Sequence, residues 1–189
     1  MVCGKSIILA SQSPRRFELM KMAGLQFEVR TKNVEENHPE GVGVYDIPVS
    51  LAKKKAKALL PEITDSGVIV GADTVVILNG KIYEKPVDEQ HAIAMLGELS
   101  GQMHEVVTGV CIVSKEKEIA FSETTRVFFN TLSKAQIEYY VKHYRPFDKA
   151  GSYACQEWIG AVAINRFEGD YFNVVGLPIN RVYRELLQF

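Results

Sequence analysis

A group of hydrogen-bond donors follows the first apolar run of the chain. The stretch SQSPRR, residues 11–16, comes directly after residues 7–10, which predict a buried strand. Its serine–proline pair is typical of the start of a helix, where unpaired backbone N–H groups attract anions. Arginine is mildly unfavourable beside the positive end of a helix, so Arg15 and Arg16 indicate an anionic ligand, with Ser11 as a further donor. The stretch therefore predicts a phosphate site, and a solvated turn with surface arginines is the alternative.

A single carboxylate interrupts the most apolar part of the chain. Asp73 lies in VIVGADTVVIL, residues 68–78, between two β-rich runs. Burial of an unpaired carboxylate is costly, so Asp73 must meet a cation or a metal, or lie where the sheet opens to a cleft. Such a residue is typical of functional sites, and the alternative is a structural aspartate at a bulge beside Gly71.

Four further polar residues are weaker candidates. On the helix predicted over residues 48–60, Lys53 and Lys55 flank the apolar face, from which a lysine can bring its ammonium group into a neighbouring pocket. The four lysines of this helix are also typical of a solvated face. Lys85 follows a predicted hairpin, where lysines are usually surface groups. The amide of Gln156 can recognise the edge of a base, or can be a satisfied polar group at a strand end.

The elements that must position these side chains alternate between strands and helices. We predict strands over residues 7–10, 68–70, 75–78, 81–83, 106–113, 118–129 and 161–165, and helices over residues 14–23, 48–60, 88–99 and 133–144 and after Pro178. The pair Asn79-Gly80 predicts a hairpin turn, and Ser133 with Gln136 predicts a capping box. The sequence thus predicts an α/β fold, in which a mixed β-sheet is flanked by helices.

The composition excludes several classes of protein. The 189 residues are 47% hydrophobic with a formal net charge of −1, which suits one domain or two small lobes and argues against a general nucleic-acid binder. No apolar run approaches the roughly 18 residues that span a bilayer, and the first strand begins too early for a signal peptide. Three widely spaced cysteines predict neither a disulfide framework nor a zinc site. We therefore expect a cytoplasmic protein with no membrane partner.

Seven motifs, in order along essentially the whole chain, resemble the Maf family of nucleoside triphosphate pyrophosphatases. The motifs are LASQSPRRFELM, LAKKKAKA, GADTVV, EKPVD, LSGQMHEVVTGV, KAGSYACQEWIGA and GDYFNVVGLP. The resemblance implies a single Maf-like domain over residues 1–189, of the Maf and ITPase-like type, with two lobes around a central cleft. Its active-site positions fall on Ser11, Arg16, Glu36, Lys55, Asp73 and Lys85. Family members often have glycine after the glutamine, where this chain has Glu157 and Trp158.

The resemblance also implies an activity and a cofactor. Members similar to this chain cleave dTTP, UTP and modified uridine triphosphates to the monophosphate and pyrophosphate. Ser11, Arg16, Lys55 and Lys85 would then bind the triphosphate. A divalent cation, Mg²⁺ or Mn²⁺, would be held by phosphate oxygens with Glu36 and Asp73. Asp73 is the expected catalytic residue, as general base, metal ligand or both.

The resemblance extends to base selection and to partners. Arg15, Lys85 and Gln156 match three positions at which pyrimidine-preferring members carry arginine, lysine and glutamine. The expected partner is a small-molecule nucleoside triphosphate, and the expected assembly is a homodimer. Two other functions stay open at this point: a pyrophosphatase for modified purine triphosphates, and a nucleotide-binding regulator of cell division, since the family was named for an effect on septum formation.

Overall fold

The strands of the chain form a mixed sheet in the computed structural model, which describes residues 4–35, 37 and 41–189. Within these residues the strands are β1 (Ser6–Leu9), β2 (Phe27–Val29), β3 (Gly67–Leu78), β4 (Lys81–Tyr83), β5 (Met103–Val113), β6 (Glu118–Phe129) and β7 (Ile164–Glu168). Their order in the sheet is β2-β1-β3-β5-β6-β7, with β4 paired to β3. β1 is parallel to β2 and β3, whereas the pairs β3–β4 and β6–β7 are antiparallel.

Helices alternate with these strands, which confirms the predicted mixed sheet flanked by helices. The described helices are α1 (Pro14–Met22), α2 (Ile47–Lys57), α3 (Glu89–Leu99), α4 (Lys134–Tyr144), α5 (Trp158–Ala163), α6 (Tyr171–Val175) and α7 (Ile179–Leu186). Side chains cap three of them, because Ser13, Asp88 and Ser133 each accept a hydrogen bond from a backbone N–H of the first turn, and the caps at Ser13 and Ser133 were predicted. Ser133 and Gln136 form the full capping box.

The chain divides into two compact units. The first unit comprises Met1–Thr74, Thr108–Glu123 and Gly176–Phe189, and the second comprises Val75–Val107 and Thr124–Val175. Each unit has a hydrophobic cluster of its own. In the first, Ile8 and Ile69 of neighbouring strands pack with Ala52 and Ala56 of α2. In the second, the cluster joins residues of α3, α4 and α5 to the strands. This division agrees with the predicted two lobes, and the cleft stays a prediction.

Several elements differ from the sequence-based expectations: β2 and α6 were not predicted, and β5 begins at Met103 rather than at residue 106. The two β-rich runs around Asp73 form one continuous strand, β3, rather than two. α2 ends at Lys57 and a separate 3₁₀ turn covers Leu60–Glu62, because Pro61 has no N–H to donate to the Lys57 carbonyl and continue the α-helix. The strand predicted over residues 161–165 is wrong: α5 occupies most of it and β7 begins at Ile164. A short apolar run does not distinguish helix from strand by its periodicity.

None of the described helices is both long and apolar enough to cross a membrane.

Candidate active site

The chain turns from β1 into α1 beside β3. Leu9 is in register with Val70, and the N–H of Ala10 donates to the Val70 carbonyl at 2.8 Å. The turn therefore lies beside the β3 residues that follow Val70. Ser13 caps α1, accepting from the N–H of Arg16 at 3.5 Å. This arrangement places the start of a helix, with its unpaired N–H groups, at the carboxyl end of a parallel strand, which is a common position for phosphate sites.

Arg16 is held in one orientation by three oxygen atoms. Its Nε donates to the Gly176 carbonyl at 2.8 Å, its Nη1 to the Ser11 hydroxyl at 3.0 Å, and its Nη2 to the Thr74 hydroxyl at 3.0 Å. The Thr74 and Thr108 hydroxyls lie 2.9 Å apart. All three acceptors belong to uncharged groups, and together they orient the planar guanidinium group.

Asp73 forms an ion pair with Lys55. The Nζ atom of Lys55 lies 2.7 Å from Oδ1 of Asp73, and the two side chains are only 15% and 13% exposed. The sequence-based expectation that this carboxylate meets a cation is therefore confirmed. Because side chains alternate along a strand, Asp73 faces α2, whereas the next residue, Thr74, faces Arg16.

Two glycines bring α2 close enough to the sheet for this ion pair. A Cβ atom on Gly71, on the same face of β3 as Asp73, would lie 2.5 Å from the Ala52 carbonyl oxygen. A Cβ atom on Gly109 in β5 would lie 2.2 Å from the backbone of Pro48. Both distances are shorter than a real Cβ atom shows, so a larger residue would push α2 away from the strands, whereas the glycines let it pack directly on them. Lys55, in the last turns of α2, then reaches Asp73.

The other predicted site residues have different positions. Arg15 is half-buried in the first turn of α1. Lys85, just after β4, and Gln156, in the turn before α5, are exposed and belong to the second unit. Glu36 lies outside the residues that the structure describes. The described geometry thus brings Ser11 to Arg16 and Lys55 to Asp73 within the first unit.

Sequence analysis missed the Thr74 hydroxyl and the Gly176 carbonyl, which accept hydrogen bonds from Arg16, and Thr108, whose hydroxyl contacts that of Thr74. Thr74 and Thr108 are single hydroxyl residues inside apolar strand runs, so the argument applied to Asp73 also applies to them in weaker form. Nothing in the sequence indicates the role of the Gly176 carbonyl, because the contact joins residues 160 positions apart.

The side chains near Asp73 determine how a divalent cation could be bound. No group of three or more histidine, cysteine, aspartate or glutamate side chains able to hold a metal is found in the described part of the chain. Mg²⁺ is often bound through one or two carboxylates together with substrate phosphates. Asp73 offers one such carboxylate, so the described residues fit a cation that phosphate oxygens hold in large part.

These features define a candidate anion site next to a buried carboxylate–ammonium pair. A family model described as Maf-like protein matches residues 6–189. The chain belongs to the Maf family, as its motifs predict.

Curated relatives match nearly the whole chain. A protein of Cytophaga hutchinsonii is 47% identical over 180 residues, which cover 95% of this chain and 82% of the relative. A Bacteroides fragilis protein is 47% identical over 96% of this chain and 95% of its own length. A Porphyromonas gingivalis protein is 46% identical over 97% of this chain and 94% of its own length. Each of the three relatives is named dTTP/UTP pyrophosphatase.

One solved structure is more distant. The Staphylococcus aureus Ham1 protein matches 66% of this chain and 72% of its own, with 17% identity and a TM-score of 0.48.

Proposed function

We propose that this protein hydrolyses dTTP and UTP to the nucleoside monophosphate and pyrophosphate. The observation that carries the proposal is that four of the predicted site residues pair with one another within the first unit, Ser11 with Arg16 and Lys55 with Asp73. Asp73 presents a carboxylate paired with Lys55, and Thr74 orients the guanidinium group of Arg16. The names of the relatives that match nearly the whole chain support the choice of substrate.

The proposed chemistry is an attack of water on the α-phosphorus. Asp73 orients the water and accepts its proton while the new P–O bond forms. The bond between the α-phosphorus and the bridging oxygen breaks, and pyrophosphate leaves with the electron pair of that bond. Arg16, Lys55 and Lys85 neutralise the triphosphate, and the Ser11 hydroxyl and the start of α1 add hydrogen-bond donors.

A divalent cation, Mg²⁺ or Mn²⁺, is part of the proposal. Glu36 and Asp73 would hold it together with phosphate oxygens, and it would supply neutralisation of the phosphate charge. The exchange of Asp73 between Lys55 and such a cation is compatible with the ion pair, because an ammonium group and a divalent cation compete for the same carboxylate oxygens.

Base selection is assigned to Arg15, Lys85 and Gln156. The Gln156 amide carries both a donor and an acceptor, which match a carbonyl and the imide N–H of thymine or uracil. A purine methylated at N7 carries a positive charge, which Arg15 and Lys85 would repel.

The proposal extends to organisation and location. Residues 1–189 would form a single Maf-like domain that acts as a homodimer on free nucleotides, with neither nucleic acid nor membrane as partner. The family match over residues 6–189 supports the single domain. The free thiols of Cys111 and Cys155 are consistent with a cytoplasmic location, where thiols stay reduced.

Product analysis in H₂¹⁸O tests the proposal. Purified protein is incubated with dTTP or UTP and Mg²⁺ or Mn²⁺, and the products are identified by ³¹P NMR and mass spectrometry. We expect monophosphate and pyrophosphate, with ¹⁸O in the monophosphate. Orthophosphate and a nucleoside diphosphate, or ¹⁸O in the pyrophosphate, would refute the mechanism. Binding of nucleotide without turnover would favour a regulator instead, and exclusive turnover of modified purine triphosphates would refute the proposed substrate.

A further inference from the structure

One tyrosine hydroxyl holds both ends of the turn that carries Gln156. Tyr140, fully buried on α4, accepts a hydrogen bond from the backbone N–H of Ala154 at 3.2 Å and donates one to the Glu157 carboxylate. The N–H of Glu157 also donates to the Ala154 carbonyl at 3.1 Å. The two ends of the turn 154–157 are therefore joined twice, once by a backbone hydrogen bond and once through the Tyr140 hydroxyl.

The Glu157 carboxylate is fixed from a second side. Its Oε1 lies 3.4 Å from Nζ of Lys149, whose side chain is only 10% exposed and which also pairs with Asp148 at 2.8 Å. Burial, followed by the hydrogen bond to Glu157, raises the pKa of Tyr140 far above its usual range. The Tyr140 hydroxyl consequently keeps its proton and remains a donor to Glu157 across the pH range of enzyme assays.

The ring of Tyr140 is held independently of its hydroxyl. It is nearly parallel to the ring of Tyr144, with centroids 5.0 Å apart, and to that of Trp158 in α5 at 6.5 Å. The turn is also close-packed against α5, because a Cβ atom on Gly160 would lie 1.7 Å from the carbonyl oxygen of Cys155. A phenylalanine at position 140 therefore keeps the ring contacts and removes only the two hydrogen bonds to the turn.

We infer that Tyr140 is a positioning residue for base selection, since its hydroxyl fixes the turn 154–157 in the conformation that presents the exposed Gln156 amide. The inference rests on the proposed role of Gln156 in the proposed pyrophosphatase. A turn ordered before the nucleotide binds loses less conformational freedom on binding, and its amide is already oriented toward one pattern of donors and acceptors. Loss of the hydroxyl should therefore reduce the discrimination between bases and leave the rate of phosphate cleavage little changed.

A double-mutant cycle in the full chain tests the inference. The measured quantity is the ratio of kcat/KM for dTTP to kcat/KM for 7-methylguanosine triphosphate. We expect Tyr140→Phe to lower this ratio about threefold to tenfold, the size expected for one or two lost hydrogen bonds. Because Tyr140 acts through Gln156, the variant carrying both Tyr140→Phe and Gln156→Ala should show the same ratio as Gln156→Ala alone.

Tyr153→Phe is the matched control. Tyr153 is buried in the same unit and adjoins the turn, but its hydroxyl lies 2.7 Å from Nε2 of His104 and not on residues 154–157. This variant removes a buried tyrosine hydroxyl at comparable cost in stability, and we expect its selectivity ratio to stay at the wild-type value. If Tyr153→Phe lowers the ratio as much as Tyr140→Phe, the effect is general loosening and the inference is wrong.

Amide hydrogen exchange provides a readout without substrate. In Tyr140→Phe we expect exchange to become faster at Ala154, whose N–H loses its acceptor, with little change in β5. Unchanged exchange at Ala154 or an unchanged selectivity ratio would overturn the inference, and so would additive effects in the cycle. These failures leave turnover of dTTP by the wild-type protein intact, whereas an absence of wild-type turnover would refute the proposed function itself.

Discussion

At the residue level, Asp73 combines burial with an ion pair to Lys55. The Lys55 ammonium group at 2.7 Å compensates the loss of solvation of a carboxylate that is 13% exposed. A structural ion pair would be satisfied by this contact alone. Ser11 and Arg16 bond to each other in the same unit, which supports the proposal that the pair acts together with them on a phosphorylated ligand.

Replacement of Asp73 by asparagine tests its catalytic role. Asparagine keeps the shape and an oxygen acceptor for Lys55 but removes the negative charge and the proton acceptor. We expect kcat for dTTP to fall by at least about 10²-fold, the usual effect of losing a general base. The circular dichroism spectrum should remain that of the wild-type protein. Near-normal turnover would contradict the assignment of Asp73 to the chemistry.

Replacement of Gln156 by alanine tests base recognition. An imperfect polar match in a desolvated pocket costs about 1–3 kcal/mol, which corresponds to roughly 10-fold to 100-fold discrimination. We expect wild-type kcat/KM for dTTP and UTP to be well above that for 7-methylguanosine triphosphate, and Gln156→Ala to narrow the gap. A wild-type preference for the methylated purine would show that Arg15, Lys85 and Gln156 do not select pyrimidines in this chain.

At the level of elements, the site depends on how closely α2 packs on β3. The absence of a side chain at Gly71 lets the backbone of α2 approach the strand, and this approach brings Lys55 to Asp73. A glycine usually weakens a strand. At Gly71 the close packing of α2 on β3 offsets this loss of local stability.

Gly71→Ala should disturb both stability and the ion pair. The added Cβ would lie 2.5 Å from the Ala52 carbonyl oxygen, which is backbone and cannot rotate away. We expect the free energy of unfolding to fall by about 1–3 kcal/mol, as for other overpacked cores, and kcat/KM for dTTP to fall with it. Denaturant unfolding and steady-state kinetics provide the two measurements.

Gly97→Ala is the corresponding control on α3. A Cβ atom at this exposed glycine meets nothing within 4 Å of the described structure. Alanine is the better helix former, so we expect the free energy of unfolding to rise by about 0.5–1 kcal/mol with unchanged kinetics. An equal loss of activity in both variants would show that the packing of α2 on β3 is not specific to the site.

Local signals predicted most of the elements, and long-range contacts account for what was missed. The capping box at Ser133 and the hairpin turn at Asn79-Gly80 are local, and both occur as expected. The partner of Asp73 was predicted only as a class, a cation or metal, because a helical lysine 18 positions away gives no signal of its direction. Two of the three acceptors of Arg16, the Thr74 hydroxyl and the Gly176 carbonyl, were not predicted, since they lie in β3 and in the segment before α7.

At the level of the whole molecule, each unit has its own core and its own buried polar groups. In the second unit, His104 is 1% exposed and packs edge-on against the rings of Phe129 and Tyr153, with centroid distances of 4.8 and 5.4 Å. Burial lowers the pKa of His104 from 6.5 to about 3. The folded protein therefore holds this imidazole neutral at pH values where the unfolded chain binds a proton to it.

This difference in pKa predicts that acid weakens the second unit. The contribution of His104 to the free energy of unfolding is present above pH 6.5, where the folded and unfolded states both hold a neutral imidazole. It is lost progressively as the pH falls toward about 3. Between pH 7.5 and 5 this one group should lower the free energy of unfolding by about 2 kcal/mol.

His104→Gln separates this contribution from that of all other titrating groups. Glutamine keeps a polar partner for the Tyr153 hydroxyl but binds no proton in this range, so the variant should lose less stability between pH 7.5 and 5 than the wild-type protein. The measurement is denaturant unfolding followed by the fluorescence of Trp158, the chain's one tryptophan, which belongs to the same unit as His104. Parallel pH profiles for the two proteins would contradict the prediction, because they would mean that residue 104 takes up no extra proton when the unit unfolds.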